Sequence, residues 1–268
     1  MAPILVRALA GLLIAGLVAW RARRVGVLSR SGALAAVAVG AAAVTVGWNW
    51  GALLILYFVA STALSRYRAA DKQRRTEGVI AKGGSRDATQ VIANGGVFAA
   101  SALLSVVASH ALAPMMTFAA LGALSAAAAD TWATEVGTLF GGTPRSVFTW
   151  RSVAPGTSGG VSAAGTGAMF LGALCVAGAA TLLGLTGSYG IVATAGVAGA
   201  LADSILGATL QERRWCAACE RLTEQPVHSC GSVTMHTGGR AYMDNDLVNL
   251  IATIVGAAVA SVLASLSP

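Results

Sequence analysis

Charged side chains are scarce in this sequence: 11% of 268 residues, against about 25% in a soluble domain. Beside 56% hydrophobic residues, that scarcity excludes a water-soluble globular protein and indicates a multi-spanning membrane protein. Segments of alternating polar and apolar residues are missing, which excludes a transmembrane barrel and leaves an all-α, polytopic helix bundle. Only three histidines occur, none of them beside the intramembrane carboxylates. No inverted repeat of the transporter kind is visible.

Hydrocarbon about 30 Å thick needs roughly 20 apolar residues per helix. The apolar runs predict eight spans, at 3–20, 31–47, 50–64, 88–110, 114–136, 160–183, 188–210 and 246–266, or seven if the short third run fails to cross. The first run leads into Arg21-Ala22-Arg23-Arg24 and not into a small-residue cleavage site, so it reads as a retained span. Basic residues fall in the connections 21–30, 65–87, 137–158 and 211–245, with only Arg7 elsewhere. Connections 48–49, 111–113 and 184–187 carry no charge. The positive-inside rule then makes the charged loops cytoplasmic and puts both termini outside. The net charge of +7 is topology and anionic-lipid contact, with no nucleic-acid partner. We read 1–268 as a single integral membrane domain. Its parts are scaffold spans (1–64), a basic interfacial loop (65–87), catalytic spans and loops (88–210), a Cys/His loop (211–245) and the last span (246–268).

Carboxylates are costly in hydrocarbon, so those inside spans mark a functional site. Asp130-Thr131-Trp132-Ala133-Thr134-Glu135-Val136-Gly137 closes the fifth apolar run. On a straight helix Asp130 shares a face with Thr134, and Thr131 with Glu135. Asp130 and Glu135 lie roughly 140° apart, so one ion can join them only if the helix breaks or other helices add ligands. Asp203 sits roughly 10 Å inside the cytoplasmic end of span seven; an arginine-paired structural aspartate is the alternative reading. Asp244-Asn245-Asp246-Leu247-Val248-Asn249 brings further oxygen ligands to the last span.

The loops supply candidate anion sites. Lys82-Gly83-Gly84-Ser85-Arg86-Asp87 directly precedes span four and offers free N–H groups at a helix start. Asp87 with Gln90 equally fits a capping pair. Asn94, within Asn94-Gly95-Gly96, suits either interhelical hydrogen bonding or ligand contact. Residues 65–77 read as an amphipathic interfacial helix or as a solvated basic face. Pro155-Gly156-Thr157-Ser158-Gly159-Gly160-Val161-Ser162 lacks the lysine of a Walker A loop and does not fit G-x-G-x-x-G. Its glycines, hydroxyls and helix start suit phosphate or a structural turn. Arg145 and Arg151 favour phosphate, since guanidinium forks match its oxygens. Cys216-x-x-Cys219 with His228-x-Cys230 matches a small tetrahedral zinc knuckle, with free thiols as the alternative. Disulfides are uncommon in that compartment, and Cys175 reads as a small core hydrophobe.

Taken in order, these motifs resemble those of the family of the plant and cyanobacterial phytyl-phosphate kinase and the animal transmembrane protein 19. The first carrier is Gly83 to Asp87 with Asn94-Gly95-Gly96. Ala129 to Gly137, Pro144-Arg145 and Pro155 to Ser162 follow, then Asp203-Ser204-Ile205-Leu206-Gly207-Ala208-Thr209-Leu210-Gln211 and Asn245 to Asn249. The resemblance covers roughly residues 80–250. It implies phosphorylation of an isoprenoid monophosphate, such as phytyl or geranylgeranyl phosphate, to its diphosphate, with CTP favoured as nucleoside triphosphate donor. The implied catalytic residues are Asp130, Glu135, Asp203 and Arg86, with Mg²⁺ on Asp130, Glu135, Asp203 and Asp246. Lipid phosphate and nucleotide would be held by Lys82, Gly84, Ser85, Asn94, Arg145, Arg151, Gly156, Thr157, Ser158, Gly159, Asn245 and Asn249. Structural Zn²⁺ would sit on Cys216, Cys219, His228 and Cys230. A cytidylyltransferase making a CDP-lipid, or a transporter or lipid carrier, are the rival expectations, and the oligomeric state is left open. Ala- and Arg-rich usage without a transit peptide points to a prokaryotic plasma membrane.

Overall fold

A computed structural model describes residues 2–267. The elements are α1 (Ala2–Arg24), α2 (Arg30–Val46), α3 (Trp48–Arg66), α4 (Ala69–Thr76), α5 (Ala88–Val107) and α6 (Ala113–Phe140). Then come β1 (Arg145–Ser146), β2 (Gly160–Val161), α7 (Ala163–Leu182), α8 (Tyr189–Thr209), β3 (Arg213–Cys216), β4 (Arg221–Thr223), β5 (Met235–Gly238) and α9 (Asn245–Leu266). Every expected span has its helix, and seven are long and apolar enough to cross a membrane. The helix that falls short is α2, with 17 residues, and not the third run. The polar ends Trp48-Asn49 and Ser65-Arg66 fold into α3 and lengthen it to 19 residues, whereas α2 stops at Gly47.

The bundle is built around α6, which packs against α3, α5, α7, α8 and α9. Its stretch Ala119 to Ala129 is buried all round. Small side chains on both partners make that closeness sterically allowed. Gly122 faces the Gly256 carbonyl and the Ala260 methyl of α9, and Gly172 of α7 rests on the Ala128 backbone. Gly199 of α8 lies against Ala126 and the Ala252 carbonyl. Gly122→Val is therefore expected to lower stability by about 1–3 kcal/mol through overpacking. Gly167→Ala, where a methyl meets open space, is expected to be neutral or stabilising, by up to about 1 kcal/mol. Thermal unfolding in detergent reads both.

The four charged connections converge at one end of this bundle. Arg86 N–H donates to Val27 O (2.9 Å), and Ser29 N–H donates back to Arg86 O (3.0 Å), which ties 21–30 to 65–87. Gly156 packs on Thr76 and Ile80, tying in 137–158. Glu224 N–H donates to Val79 O (2.8 Å), tying in 211–245. There β4-β3-β5 forms a small antiparallel sheet.

Candidate active site: a carboxylate pair beside an arginine-ended cavity

Helix α6 runs unbroken through Asp130 and Glu135, and the two carboxylates point to different neighbours, as their angular separation requires. Asp130 faces α8, where its carboxylate lies beside that of Asp203 within hydrogen-bonding reach. Asp203 Oδ2 is closed off from solvent and has no hydrogen-bond partner. No lysine, arginine or histidine pairs with either carboxylate among the described residues. Two like charges so placed call for a bound cation or a shared proton. An all-oxygen donor set with an orphaned oxygen fits a hard divalent cation such as Mg²⁺.

Glu135 faces α3 and α4 instead. Its Oε2 meets Lys72 Nζ at 2.5 Å and its Oε1 accepts from Ser65 Oγ at 2.5 Å. Ser65 Oγ in turn accepts from Arg86 Nη2 at 3.0 Å. Lys72 also donates to the Leu64 and Ser65 carbonyls, at 2.7 and 2.8 Å, where a cation complements the end of α3. So α4 is amphipathic in a specific sense: Arg74 and Arg75 stay exposed while Lys72 is buried. Lys72→Met leaves Glu135 half-buried without its cation, and we expect a loss of about 3 kcal/mol. Lys72→Met/Glu135→Leu should recover most of it in the same unfolding measurement.

An apolar cavity of about 130 Å³ opens between α1, α2, α3 and α5. Ile14, Val18, Val39, Leu54 and Phe58 are among its aliphatic and aromatic walls, and Arg86, Gln90, Asn94 and Thr131 form its polar end. Gly32 lets α2 settle on the Arg86 backbone, so the arginine is held at the cavity from both sides. Asn94 donates to Gln90 O (3.0 Å), and its Oδ1 is buried without a partner. Tyr57 joins this end to the carboxylate pair: its hydroxyl lies beside Thr131, near Arg86 and Asp130. Tyr57 lies in the third span, where the sequence showed no chemistry, and Ser65 opens the basic loop after it, where the sequence showed only charge. Only their meeting with residues about 20 to 75 positions away reveals them.

The other expected residues fall into three places. Lys82 Nζ bridges Asp246 Oδ2 (2.5 Å) and Asp87 Oδ2 (3.0 Å), and Thr89 Oγ1 donates to Asp246 at 2.7 Å. Partial burial alone would lower the Lys82 ammonium; the hydrogen bonds and charges of Asp246 and Asp87 raise it instead. Asp87 and Gln90 complete the capping box of α5. Burial works to raise the Asp87 carboxyl, but the Gln90 N–H, the Thr89 hydroxyl and Lys82 together hold it at about 2. Gly84 (φ +87°) and Ser85 lie exposed on that loop. Asn245 is exposed on the first turn of α9, and Asn249 Nδ2 donates to its carbonyl at 2.8 Å.

The Pro155 to Ser162 stretch does lead into a helix, but only its last residue, Ser162, caps it. Strand β2 precedes that cap. Gly156 (φ +87°) and Gly159 (φ +74°) turn the loop so that Gly159 packs on Ala208 at the end of α8, above Asp203. Thr157 and Ser158 are half-buried there. The Ser158 hydroxyl donates to Glu224, a carboxylate the motifs did not single out, whose charge bears on Asp203. Burial raises the Glu224 carboxyl, opposed by the Ser158 hydroxyl and the Ala81 N–H. Arg145 and Arg151 are exposed, and Arg145 closes its own turn by donating to Trp150 O at 2.9 Å. The ligating atoms of Cys216, Cys219, His228 and Cys230 lie within 4.8 Å of one another.

Membrane-length helices around a polar site, with a cysteine–histidine knuckle in the last loop, define an integral membrane protein of all-helical core. The chain belongs to the family described as integral membrane protein DUF92, whose sequence profile matches residues 13–257. It is similar to Protein PGR of Arabidopsis thaliana, 28% identical over 93% of each chain. It is also similar to the chloroplastic Protein VTE6 of the same plant, 26% identical over 87% of this chain and 64% of that one. An uncharacterized membrane protein of Methanocaldococcus jannaschii is 27% identical over 78% of this chain and 74% of its own length. No solved structure matches. Membership bears out the membrane-family resemblance of the motifs.

Proposed function

We propose that this protein is a membrane-embedded prenyl-phosphate kinase, which converts an isoprenoid monophosphate to its diphosphate at the expense of a nucleoside triphosphate, with CTP favoured. The observation that carries this reading is the cavity with apolar walls and Arg86 at its polar end. A prenyl tail needs an apolar residence, and its phosphate needs a guanidinium fork beside it. Tyr57 and Thr131 place that end next to Asp130 and Asp203.

In this reading the tail lies between α1, α2, α3 and α5, and Arg86 and Asn94 hold the phosphate. Thr157 and Ser158, above Asp203, receive the donor. Mg²⁺, held by Asp130 and Asp203, would supply charge neutralisation to the transferring phosphoryl group. A phosphate-monoester oxygen attacks the γ-phosphorus, the β–γ bridging bond breaks, and the nucleoside diphosphate leaves. The monoester's second pKa is about 6, so the attacking oxygen is already anionic near neutral pH and no histidine base is needed. The convergence of all four basic connections at this end supports a cytoplasmic site under the positive-inside rule.

The test is purified protein in detergent with Mg²⁺, γ-labelled CTP or ATP, and phytyl or geranylgeranyl monophosphate. Label entering a lipid diphosphate is the expected result. A CDP-lipid formed with release of pyrophosphate would replace the kinase by a cytidylyltransferase, and no transfer to any prenyl phosphate would overturn both in favour of a carrier.

A further inference from the structure

Outside that site, the segment between α8 and α9 gathers three thiols and an imidazole on very little core. Cys216 and Met243 are the buried hydrophobic residues it contributes, while Leu222, Val227, Val233 and Met235 are half or more exposed. Strands of three or four residues cannot hold their arrangement on so small a core without a staple. Strands β3 and β4 present Cys216 and Cys219 from their turn, and the Val227–Val233 bridge encloses His228 and Cys230. Cys216 Sγ lies 3.6 Å from Cys230 Sγ, and His228 Nδ1 lies 3.2 Å from the same sulfur. Zinc bonds of about 2.3 Å to sulfur and about 2.0 Å to nitrogen give tetrahedral edges of about 3.5–3.8 Å. The thiols are free, and soft thiolates with imidazole select zinc over the hard cation suited to the aspartates.

The same knuckle grips the site loops. Gln225 Nε2 donates to Ile80 O (2.9 Å), the Glu224 amide to Val79 O, and the Ala81 N–H to the Glu224 carboxylate. His228 Nε2 abuts Gly78, where φ is +74° and a methyl would come within 2.7 Å. We propose that Cys216, Cys219, His228 and Cys230 bind one Zn²⁺, and that this metal-locked knuckle fixes Glu224 on the Ser158 loop, making it a positioning residue. Glu224's positioning role rests on the proposed donor site at Ser158, whereas the metal site does not depend on it.

Zinc and free thiols are measured together in the full chain purified in detergent without added metal. One zinc per chain is expected, and Cys219→Ser, at an exposed position, should cut it at least tenfold. Co²⁺ exchanged into the wild type should show the absorption of a tetrahedral thiolate site. Protein without zinc that takes up neither metal under reducing conditions overturns the metal site. Hydrogen exchange then reads the coupling: chelation should speed exchange at residues 77–82 at least tenfold and leave α6 unchanged. Unaltered exchange there in zinc-free protein overturns the positioning role while sparing the metal.

Discussion

Asp203→Asn is expected to reduce turnover at least about 10³-fold, or about 4 kcal/mol of transition-state stabilisation, while leaving the fold intact. The substitution keeps the size of a side chain whose neighbours are fixed by helix packing, so no cavity forms. What it removes is one of two adjacent negative charges that lack a basic partner. In protein free of divalent cations that removal relieves repulsion, so thermal stability should be equal to or above wild type. Added Mg²⁺ should stabilise the wild type by preferential binding to the folded state and should stabilise Asp203→Asn far less. Opposite signs in the two measurements distinguish a cation site from a structural aspartate, whose loss would lower stability and activity together. Wild-type turnover in the variant would remove Asp203 from the mechanism.

The helices were legible because each long apolar run is its own signal, needing no partner to be recognised. The carboxylates were legible for the complementary reason, since each stands out against its run. Which carboxylates meet was not. For one ion to join Asp130 and Glu135 across roughly 140°, the helix had to break or other helices had to add ligands; the structure does not join them, and brings Asp203 to Asp130 alone. Glu135 instead joins Lys72, a residue that reads as one more positive charge in a basic loop. Its burial depends on a contact 63 positions away, and periodicity within α4 cannot encode that. Glu224 was hidden in the same way, in a polar loop where a glutamate is unremarkable until Ser158 is seen beside it. The Pro155 loop left phosphate and a structural turn both open: the positive φ values of its glycines serve a turn seated on α8, and its last residue, Ser162, caps α7.

Arg86→Ala is expected to lower kcat/KM for the prenyl phosphate by about 10²- to 10³-fold, the scale of losing one preorganised charged donor. The backbone at this position is held by Val27 and Ser29 through main-chain bonds, which alanine keeps, so the loss should not be one of folding. Arg86→Lys should recover less than tenfold, because an ammonium cannot donate to Ser65 and span a phosphate edge as a planar fork does. Ser65→Ala removes the contact that orients the guanidinium (3.0 Å), together with the hydroxyl's bond to Glu135, and should cost about tenfold. The effect should appear mainly in KM for the lipid and leave KM for the nucleotide nearly unchanged, because Arg86 ends the tail cavity and the donor loop lies over α8. Equal losses for both substrates would mean that Arg86 sits between the two phosphates, and the cavity would then need a different occupant at its polar end.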